Sequence, residues 1–464
     1  MSYVFLGKSS FIQRAVASAR HARLSPHLAR RSLVTLAIET SCDDTSVAVL
    51  EEHRGNPSVG ATLHFHSKVT SHDRRFQGIH PLVALESHQT NLGNLVNEAL
   101  SSLPKINGSA RDGFNNNVVA LNGSSSERKK PDFISVTRGP GMRSNLNVGL
   151  DMAKGLSIAW QIPLLAINHM QAHALTPRLV SALETESGVP ADPAFPFLSL
   201  LVSGGHTMLI HSKELTDHTM LAATSDIAVG DMVDKVARNI LPPDVREQAE
   251  CTMYGQLLER FAFPNLSTKH EYQPPASRSE ELASKPSRWG WSFGLPLAEK
   301  GSSRAAEFSF SGLESSIARR FTESTEAIDD DERRALAQEA FRVAFEHLAS
   351  RIVFGLQHLR DQDSANTNRE ISTLVVSGGV ASNDYLRIIL RKFLDIRGFS
   401  HVRIIFPPAA LCVDNAAMIA WTGMEMFEAG WRSRLSCRSL RKWALDPAAE
   451  DGGILGVPGW VRAG

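Results

Sequence analysis

The sequence predicts an α/β protein with two lobes of similar plan and a central cleft between them. Two stretches read as strand–turn–strand units: 33–50, around the polar turn Glu39–Ser46, and 195–210, around the turn Ser203–Thr207. A third unit, 372–383, is a strand and a turn that lead into a helix expected to begin near Asp384. Apolar strands with small polar turns, alternating with helices, are typical of a sheet that carries ligands on its turns. Repetition of the opening unit indicates duplication.

Composition limits the possible classes of protein. The chain has 464 residues, 42% of them hydrophobic and 21% charged, which suits two or three domains or one bilobal unit. It contains no apolar run long enough to span a membrane, so no membrane insertion is expected. Its four cysteines show no C-x-x-C spacing, which argues against a disulfide framework or a cysteine zinc site and favours a reducing compartment.

Residues 1–32 have the composition of a mitochondrial transit peptide. Apolar residues can share one face of a helix there, the first acidic residue of the chain is Glu39, and no continuous apolar segment resembles a secretory signal. A disordered basic tail is the alternative reading. The six basic residues of this segment are Lys8, Arg14, Arg20, Arg23, Arg30 and Arg31.

The rest of the chain is expected to divide at the repeated motifs. We predict an N-terminal lobe over 33–165, a C-terminal lobe with metal and nucleotide motifs over 166–430, and a basic C-terminal extension over 431–464. Polar stretches at 104–131, 184–196 and 264–306 read as surface insertions, because they hold too little apolar material to form a core. The segments 327–359 and 416–427 read as helices, the first of them with an apolar face that packs in the core.

Without the first 32 residues the chain has a net charge of about −6, so the overall field cannot attract nucleic acid. Any contact with RNA must come from a local patch. One candidate is a run of five cations between Trp431 and Trp443, although a solvated surface stretch is the more usual role of such a run. The five are Arg432, Arg434, Arg438, Arg441 and Lys442.

The segment Asn168–His173 places two imidazoles four residues apart. On a helix His169 and His173 would project from one face and could share a metal ion, although ordinary helical histidines are the commoner case. A zinc protease would need a glutamate in the H-E-x-x-H pattern, and Met170 stands there instead. Asp414, at the start of a helix, is either an N-cap or a third ligand from the second half of the chain.

Two turns combine glycines with a hydroxyl at the end of an apolar strand. They are Ser203-Gly204-Gly205 and Ser377-Gly378-Gly379. Glycine lets backbone N–H groups approach an anion closely, as phosphate sites require, although tight turns use the same residues for structural reasons. Two such turns, each after a buried strand, favour a nucleotide site.

Seven motifs, in order over most of 33–427, resemble those of the universal tRNA N6-adenosine threonylcarbamoyltransferase family, whose members were once labelled O-sialoglycoprotein endopeptidases. They are ETSCDDTSVAV, VTRGPGMRSNLNVGLDMAKGLS, NHMQAH, LLVSGGHT, FSFSGL, VVSGGVASN and CVDNAAMIA. The resemblance implies the actin/sugar-kinase/heat-shock-ATPase fold, which is RNase H-like. The N-terminus resembles that of the mitochondrial branch, whose members act as homodimers.

The resemblance also implies a set of functional residues. It puts the metal ligands at His169, His173 and Asp414, for one divalent ion per subunit, zinc or iron. A functionally important acid falls on Asp43, with a catalytic role or a structural role in the turn. The substrate-binding positions implied are Leu201, Val202, Ser203, Gly204, Gly205, Asp234, Gly255 and Asn383.

The sequence departs from the family pattern at two places. A longer segment, 239–252, replaces the usual approach to a Tyr-Pro-Gly-Gly-Pro loop, and Tyr254-Gly255 is its best counterpart, with Glu259 a further candidate. FSFSGL is followed by Glu314-Ser315 where the family has Lys-Thr, so any role of that lysine is missing.

The implied reaction is transfer of threonylcarbamoyl from threonylcarbamoyl-adenylate, supplied by a separate synthase, to N6 of the adenosine 3′ of the anticodon. The substrates would be mitochondrial tRNAs reading codons that begin with A, and the compartment would be the matrix. A phosphotransferase of this fold class would explain the glycine turns but not the histidines and Asp414. A metallopeptidase would explain the histidines but not the glycine turns. A non-catalytic nucleotide-binding module is the remaining alternative, and an intact metal triad argues against it.

Overall fold

The computed structural model describes residues 32–53, 60–71, 80–106, 117–121, 127–186, 188–247, 254–265, 269–298, 306–324, 327–363 and 370–463. The transit-peptide prediction therefore lies outside the described residues, apart from Ser32. Within these ranges the chain forms an α/β structure with two large mixed sheets and one two-stranded sheet. None of the described helices is long and apolar enough to cross a membrane.

The first sheet is built around the hairpin predicted at 33–50. Strand β1 (Leu33–Glu39) pairs antiparallel with β2 (Asp44–Glu52), which pairs antiparallel with β3 (Ala61–Thr70). On the other side of β1, β6 (Phe133–Gly139) and β7 (Leu164–Asn168) run parallel to it. Strands β4 (Val118–Ala120) and β5 (Glu127–Lys129) form the separate small sheet. β1 is buried throughout, as expected for a central strand.

The second sheet repeats this strand order. The predicted hairpin becomes β8 (Phe197–Val202) and β9 (Thr207–Ser212), followed by β10 (His218–Thr224) and the two-residue β11 (Glu307–Phe308) at the edge. Strands β12 (Thr373–Ser377) and β13 (Arg403–Ile405) run parallel to β8 on its other side. In each sheet three antiparallel strands are thus followed by two parallel ones, as the predicted duplication requires.

The predicted helices are present. α1 to α4 are Pro81–Ser101, Arg143–Trp160, His169–Glu184 and Val229–Ile240. α5 to α8 are Pro243–Glu247, Gly255–Ala262, Arg278–Leu282 and Ser311–Glu323. α9 to α13 are Asp330–Asp363, Asp384–Ile396, Ala409–Cys412, Ala416–Glu428 and Gly453–Gly456. A short 3-10 helix, Gly379–Ser382, precedes α10, which begins at Asp384 as predicted.

Helices α3 and α12 share one hydrophobic core with both sheets. This core includes Phe133 and Leu165 of the first sheet and Leu201 and Val375 of the second, together with most apolar residues of the two helices. α12 is buried along nearly its whole length, because its sequence is apolar on all sides. The two helices therefore hold the carboxyl ends of strands from both sheets in a fixed relation.

The predicted lobe boundaries do not coincide with the sheets. Strand β7 crosses the boundary set at residue 165, and α12 packs on β1, β2 and β6 although it was assigned to the second lobe. Within residues 431–464, β14 (Trp431–Ser433) and β15 (Trp460–Arg462) lengthen the first sheet beyond β7. Long-range strand pairing, which local composition does not reveal, places this segment.

The described parts of the predicted insertions are more structured than expected. In 264–306, Tyr272 is buried and its hydroxyl donates to Glu346 (3.1 Å), and Glu281 is buried in contact with Arg278. In 104–131, the small sheet pairs Val118 with Lys129. These segments cover the cores with paired polar groups, which a reading based on apolar content alone does not detect.

Candidate active site

The metal-site histidines lie at the first turn of α3, directly after β7. The side chain of Asn168 caps this helix by accepting hydrogen bonds from the N–H groups of Met170 (2.9 Å) and Gln171 (3.2 Å). The cap fixes His169 as the first helical residue, so His169 and His173 project from one face as predicted. Both are buried, with side chains 5% and 8% exposed.

Asp414 reaches the same point from a distant part of the chain. The N-cap of α12 is Asn415, which accepts from the N–H of Met418 (3.0 Å), so Asp414 is not needed as a cap. Its Oδ1 lies 3.0 Å from Nε2 of His173 and 3.4 Å from Nε2 of His169. The fold thus gives the capping role to Asn415 and directs the carboxylate of Asp414 at the histidines.

The three donor atoms fit one metal ion. The two Nε2 atoms are 3.2 Å apart, and the rings of His169 and His173 are nearly perpendicular, at 88°. An ion about 2.1 Å from each of its ligands needs neighbouring donors about 3.0–3.4 Å apart. The observed separations fall in this range. Among the described residues, His169, His173 and Asp414 are the group of three that can hold an ion.

The charges of the group are strongly coupled. Burial alone would raise the pKa of Asp414, but the adjacent His169 and His173 hold it well below its usual range. Burial opposes protonation of His169, yet Asp414 and Glu39 raise its pKa well above the ordinary value. The site therefore stabilises positive charge beside two carboxylates, which is the electrostatic environment that a cation requires.

Glu39, which the sequence analysis did not identify as a site residue, contacts the ring nitrogen of His169 that faces away from His173 and Asp414. It is fully buried at the end of β1, and its Oε2 lies 3.1 Å from Nδ1 of His169. The hydroxyl of Thr137 donates to the same oxygen, and the N–H of Ser41 donates to Oε1 (2.5 Å). A carboxylate on the outer nitrogen of a metal-binding imidazole fixes its orientation. The sequence feature that could have identified Glu39 is an acidic residue at the end of a strand that is mostly apolar.

Asp43 occupies the turn between β1 and β2, close to this group. Burial raises the pKa of Asp43 to about 6, with further contributions from Asp44 and Asp414. The turn is fixed because the backbone carbonyl of Cys42 accepts from Nδ2 of Asn145 (2.8 Å) and the backbone carbonyl of Asp43 accepts from the N–H of Ser71 (3.0 Å). A carboxyl group with a pKa near neutrality is suited to accept a proton.

The two glycine turns lie side by side at the ends of β8 and β12. Leu201 pairs with Ser377 in the parallel register. Gly378, with φ of +97°, approaches so closely that an added Cβ would lie 2.3 Å from the carbonyl oxygen of Val202. Leu201 and Val202 are buried strand residues, whereas Gly204 and Gly205 are exposed. The exposed part of this predicted binding segment is therefore the turn itself.

The start of α4 packs on the first of these turns. The N–H of Gly230 donates to the carbonyl of Ser203 (3.2 Å), and a Cβ on Gly230 would lie 2.7 Å from that oxygen. Ser203 also closes the turn, since its hydroxyl oxygen accepts from the N–H groups of Gly205 (3.3 Å) and His206 (3.0 Å). Only glycine at position 230 allows the helix and the turn to meet this closely.

The remaining predicted binding residues lie in the middle of α4 (Asp234), at the first position of α6 (Gly255) and just before α10 (Asn383). Oδ1 of Asp234 accepts from the N–H groups of Tyr254 (2.8 Å) and Gly255 (3.1 Å), so the structure brings Asp234 and Gly255 together. Burial raises the pKa of Asp234 to about 6. Asn383 caps α10 by accepting from the N–H of Leu386 (3.0 Å).

Glu259 lies next to Asn383. Its Oε1 accepts from Nζ of Lys269 (2.8 Å) and from the N–H of Asp384 (3.0 Å), at the start of α10. Lys269 belongs to the stretch interpreted as an insertion, and sequence reasoning did not identify it. It gives this polar corner one buried cation.

The metal group and the glycine turns are physically connected. The hydroxyl of Ser377 donates to the carbonyl of His173 (3.5 Å), so the end of β12 is attached to α3. His206, in the first glycine turn, has its pKa lowered to about 4 by burial and by the nearby His169 and His173. The turns and the metal group therefore belong to one site.

The FSFSGL segment is held at the edge of the second sheet by Asp226. The hydroxyls of Ser309 and Ser311 (2.6 Å each) and the N–H of Phe310 (3.0 Å) donate to its carboxylate. These bonds lower the pKa of Asp226 to about 2 against the opposing effect of burial. The segment is thereby ordered without the lysine that follows it in the family pattern.

Comparison with known proteins gives a consistent result. The profile of the family described as tRNA N6-adenosine threonylcarbamoyltransferase matches residues 118–421. A Schizosaccharomyces pombe protein, named tRNA N6-adenosine threonylcarbamoyltransferase, mitochondrial, is 35% identical over 94% of this chain and 90% of its own length. A Danio rerio protein of the same name is 32% identical over 86% of this chain and 84% of its own.

A bacterial relative extends the agreement. The tRNA N6-adenosine threonylcarbamoyltransferase of Anaplasma marginale is 31% identical over 89% of this chain and 98% of its own length. The profile match covers the residues from before α2 to within α12, and so includes both glycine turns and all three metal-site residues. The chain therefore belongs to the tRNA N6-adenosine threonylcarbamoyltransferase family.

Proposed function

We propose that this chain transfers the threonylcarbamoyl group of threonylcarbamoyl-adenylate to N6 of the adenosine 3′ of the anticodon in mitochondrial tRNAs that read codons beginning with A. The observation that carries the proposal is the position of the His169–His173–Asp414 group beside the glycine turn that ends β12, which itself adjoins the glycine turn that ends β8. A metal site beside an anion-binding turn suits a substrate with a phosphate at one end and a reactive carbonyl next to it.

The chemistry requires an activated acyl donor. The lone pair of adenine N6 is delocalised into the ring, so the amine is a weak nucleophile. In the adenylate, the carbamoyl carbon is joined to a phosphate oxygen. Attack by N6 forms the N–C bond, the C–O bond to phosphate breaks, AMP leaves, and N6 loses one proton. Binding of both substrates in one site supplies the orientation that a weak nucleophile needs.

The adenylate is assigned to the corner formed by the two turns and the starts of the helices beside them. The exposed backbone of Ser203–Gly205 would bind the phosphate, with Leu201 and Val202 supporting the turn from the strand. Asp234, Gly255 and Asn383 would hold the nucleoside. The side-chain oxygen of Asn383 already accepts the capping hydrogen bond from the N–H of Leu386, so its amide N–H groups are the part that suits a substrate oxygen.

His169, His173 and Asp414 would hold one divalent ion, zinc or iron. Bound there, the ion would act as a Lewis acid and template for the oxygens of the donor. Glu39 keeps the His169 ring in its orientation, and Asp43 accepts the proton from N6 or positions the intermediate. The two sheets would form two lobes of an actin-like fold, with the site in the cleft between them.

The compartment and partners follow from the family members. Two relatives carry the word mitochondrial in their names, and residues 1–32 have the composition of a transit peptide, so the protein is mitochondrial, in the matrix. We propose that a separate synthase supplies the adenylate and that the protein is a homodimer, in line with the mitochondrial branch that it resembles.

The competing functions explain less of the site. A metallopeptidase would use a glutamate next to the first histidine as general base, and that position is Met170. A phosphotransferase would leave the three converging metal donors without a role.

The test is incorporation of labelled threonine into tRNA by the purified mature protein, supplied with threonylcarbamoyl-adenylate. Wild type should modify tRNA, and His173→Ala should lose stoichiometric metal and transfer together. His66→Ala, which removes a half-buried imidazole from β3, is the matched control and should keep both. Full metal content in His173→Ala would mean that the triad is misassigned. Hydrolysis of glycopeptides by a wild type that never modifies tRNA would refute the function.

A further inference from the structure

Four exposed cations lie on two neighbouring segments beside the metal site. Arg143 begins α2, and Arg438, Arg441 and Lys442 follow β14; their side chains are all exposed. We call these four residues the cationic surface. Within the described parts of the chain, none of the four forms an ion pair. Arg143 stands at a helix N-terminus with no acidic residue in the first turn, where a cation is unfavourable.

The C-terminal segment of this surface is fastened firmly to the protein. Arg138 is buried, and its guanidinium donates to the carbonyls of Arg438 and Pro458 (2.8 Å each) while lying over the ring of Trp443. Lys154 of α2 donates to the carbonyl of Cys437 (2.7 Å). The backbone is thus fixed by buried groups, and the exposed side chains take no part in holding it.

Two short routes lead from this segment to the metal site. The carbonyl of Trp443 accepts from Nδ2 of Asn168 (3.4 Å), the residue that caps α3 just before His169. The carbonyl of Arg441 accepts from the N–H of Gly141 (3.3 Å), and the next residue, Met142, donates to the carbonyl of Ser41 (2.9 Å).

Ser41 completes the second route. Its hydroxyl lies 3.3 Å from Nδ1 of His169. Arg143, Arg441 and Lys442 are therefore within one or two residues of a backbone group on these routes, and Arg438 lies three residues before Arg441. The cationic surface borders the place where the reactive carbonyl would be held.

Neighbouring acids do not neutralise the surface. The acids that follow Lys442 in sequence are Asp446, Glu450 and Asp451. Asp446 and Asp451 fix their own loop, and among the described residues no ion pair joins the exposed Glu450 to the four cations. Asp446 accepts from the N–H groups of Ala448 (2.8 Å) and Met220 (3.2 Å), and Asp451 accepts from those of Ala444 (2.8 Å) and Gly453 (3.1 Å). Of the five cations in the sequence run, Arg432 packs on the ring of Phe427, and Arg434 is exposed but lies outside the cationic surface as defined.

We infer that the cationic surface binds the RNA backbone of the substrate and so presents the adenosine to the metal site, an inference that rests on the proposed function. The mature chain has a net charge of about −6, so attraction of a polyanion must be local. Exposed Arg and Lys side chains without acidic partners suit phosphate contacts, which position a nucleic acid without reading its sequence.

The test compares Arg441→Ala/Lys442→Ala with the control Lys105→Ala/Lys213→Ala. Both doubles remove two exposed positive charges, but Lys105 lies beside the small sheet and Lys213 at the end of β9 remote from the Ser203–Gly205 turn. Binding of tRNA transcript is measured at several salt concentrations, alongside metal content, KM for adenylate and KM for tRNA. Arg441→Ala and Lys442→Ala change only side chains, so the backbone hydrogen bond from Gly141 to the carbonyl of residue 441 is kept.

The Arg441/Lys442 double should bind tRNA more weakly, and the slope of log affinity against log salt should fall by about 1.5, since each lost phosphate contact removes roughly 0.7–0.9. Metal content and KM for adenylate should not change, and the control should match wild type. An unchanged tRNA affinity and slope would overturn the inference. Binding of the same proteins to anionic vesicles that contain cardiolipin is measured in parallel, and loss of vesicle binding in the double variant with tRNA binding intact would also overturn the inference. If the double variant shows the smaller salt slope but the wild type never transfers threonylcarbamoyl, the RNA-binding role of the cationic surface is supported and the proposed function is refuted.

Discussion

Replacing Glu39 with Gln isolates the contribution of the carboxylate behind His169. In wild type, Oε2 of Glu39 is hydrogen-bonded to Nδ1 of His169 and accepts from the hydroxyl of Thr137, and Oε1 accepts from the N–H of Ser41. Glutamine has one oxygen and one NH₂ group. If its oxygen stays against His169 and Thr137, the NH₂ group faces the N–H of Ser41, and donor meets donor. The variant keeps its shape but loses the negative charge and one buried hydrogen bond.

Two magnitudes follow. Removing the partner of a metal-binding histidine typically lowers metal affinity or activity 10- to 100-fold, or about 1.4–2.8 kcal/mol. The unsatisfied buried donor at Ser41 costs about 1–3 kcal/mol of folding stability. We therefore expect Glu39→Gln to bind metal 10- to 100-fold more weakly and to unfold at lower urea concentration.

Competition of Zn²⁺ between the protein and a chromophoric chelator at fixed pH measures the affinity, and urea unfolding of the metal-free protein measures stability. Glu51→Gln is the matched control, because Glu51 is a buried acid on the adjacent strand whose partners include His64 and Ser32. It should lose stability while keeping metal affinity. Affinity of Glu39→Gln within twofold of wild type would refute the argument that this carboxylate orients His169.

Four further predictions concern the site, stability and assembly. Asp43→Asn should keep its fold, metal and adenylate binding but lose transfer; the wild-type rate should rise with pH through about 6, and wild-type transfer by the variant would make Asp43 a structural acid. Gly230→Ala should displace the Ser203 turn, at a cost of about 1–3 kcal/mol, and raise KM for adenylate roughly tenfold with metal content intact; an unchanged KM would place the phosphate elsewhere. The pKa of Glu51 is lowered to about 2 by His64, Ser32 and Lys129 against the effect of burial, so its stabilising contribution is complete above about pH 4.5 and declines as pH falls toward 2. The stability difference between wild type and Glu51→Gln should thus shrink from about 3 kcal/mol at pH 7 to about 2 at pH 3.5, and a constant difference in urea unfolding would contradict it. Sedimentation of the active enzyme should give twice the mass of one chain, and the mass of one chain would exclude the homodimer.

Several parts of the site could be predicted from the sequence because they depend on local geometry. The i,i+4 spacing of His169 and His173 puts both rings on one helical face wherever that helix lies. The glycine turns follow runs of apolar residues that can only be buried strands, so their positions at strand ends were predictable. Asp234 and Gly255 were each assigned to substrate binding through resemblance alone, and the structure joins them by a hydrogen bond of 3.1 Å.

Other parts depended on contacts between distant segments. Asp414 and Asn415 have equal claims to cap a helix in the sequence, and only the packing of α12 makes Asn415 the cap and turns Asp414 toward His173, 241 residues away. Glu39 lies in a strand whose composition predicts burial but not the partner that makes a buried carboxylate tolerable.

The sequence by itself determined the repeated strand plan, the helical histidine pair and the glycine turns, since each depends on the periodicity or conformational freedom of a few consecutive residues. Tertiary structure decided which strands adjoin. It placed residues 431–433 and 460–462 in the first sheet, and it brought the exposed Arg441 beside the metal site. Strand pairing and core packing join residues hundreds of positions apart, and their free energy depends on the whole fold, so no local pattern records them.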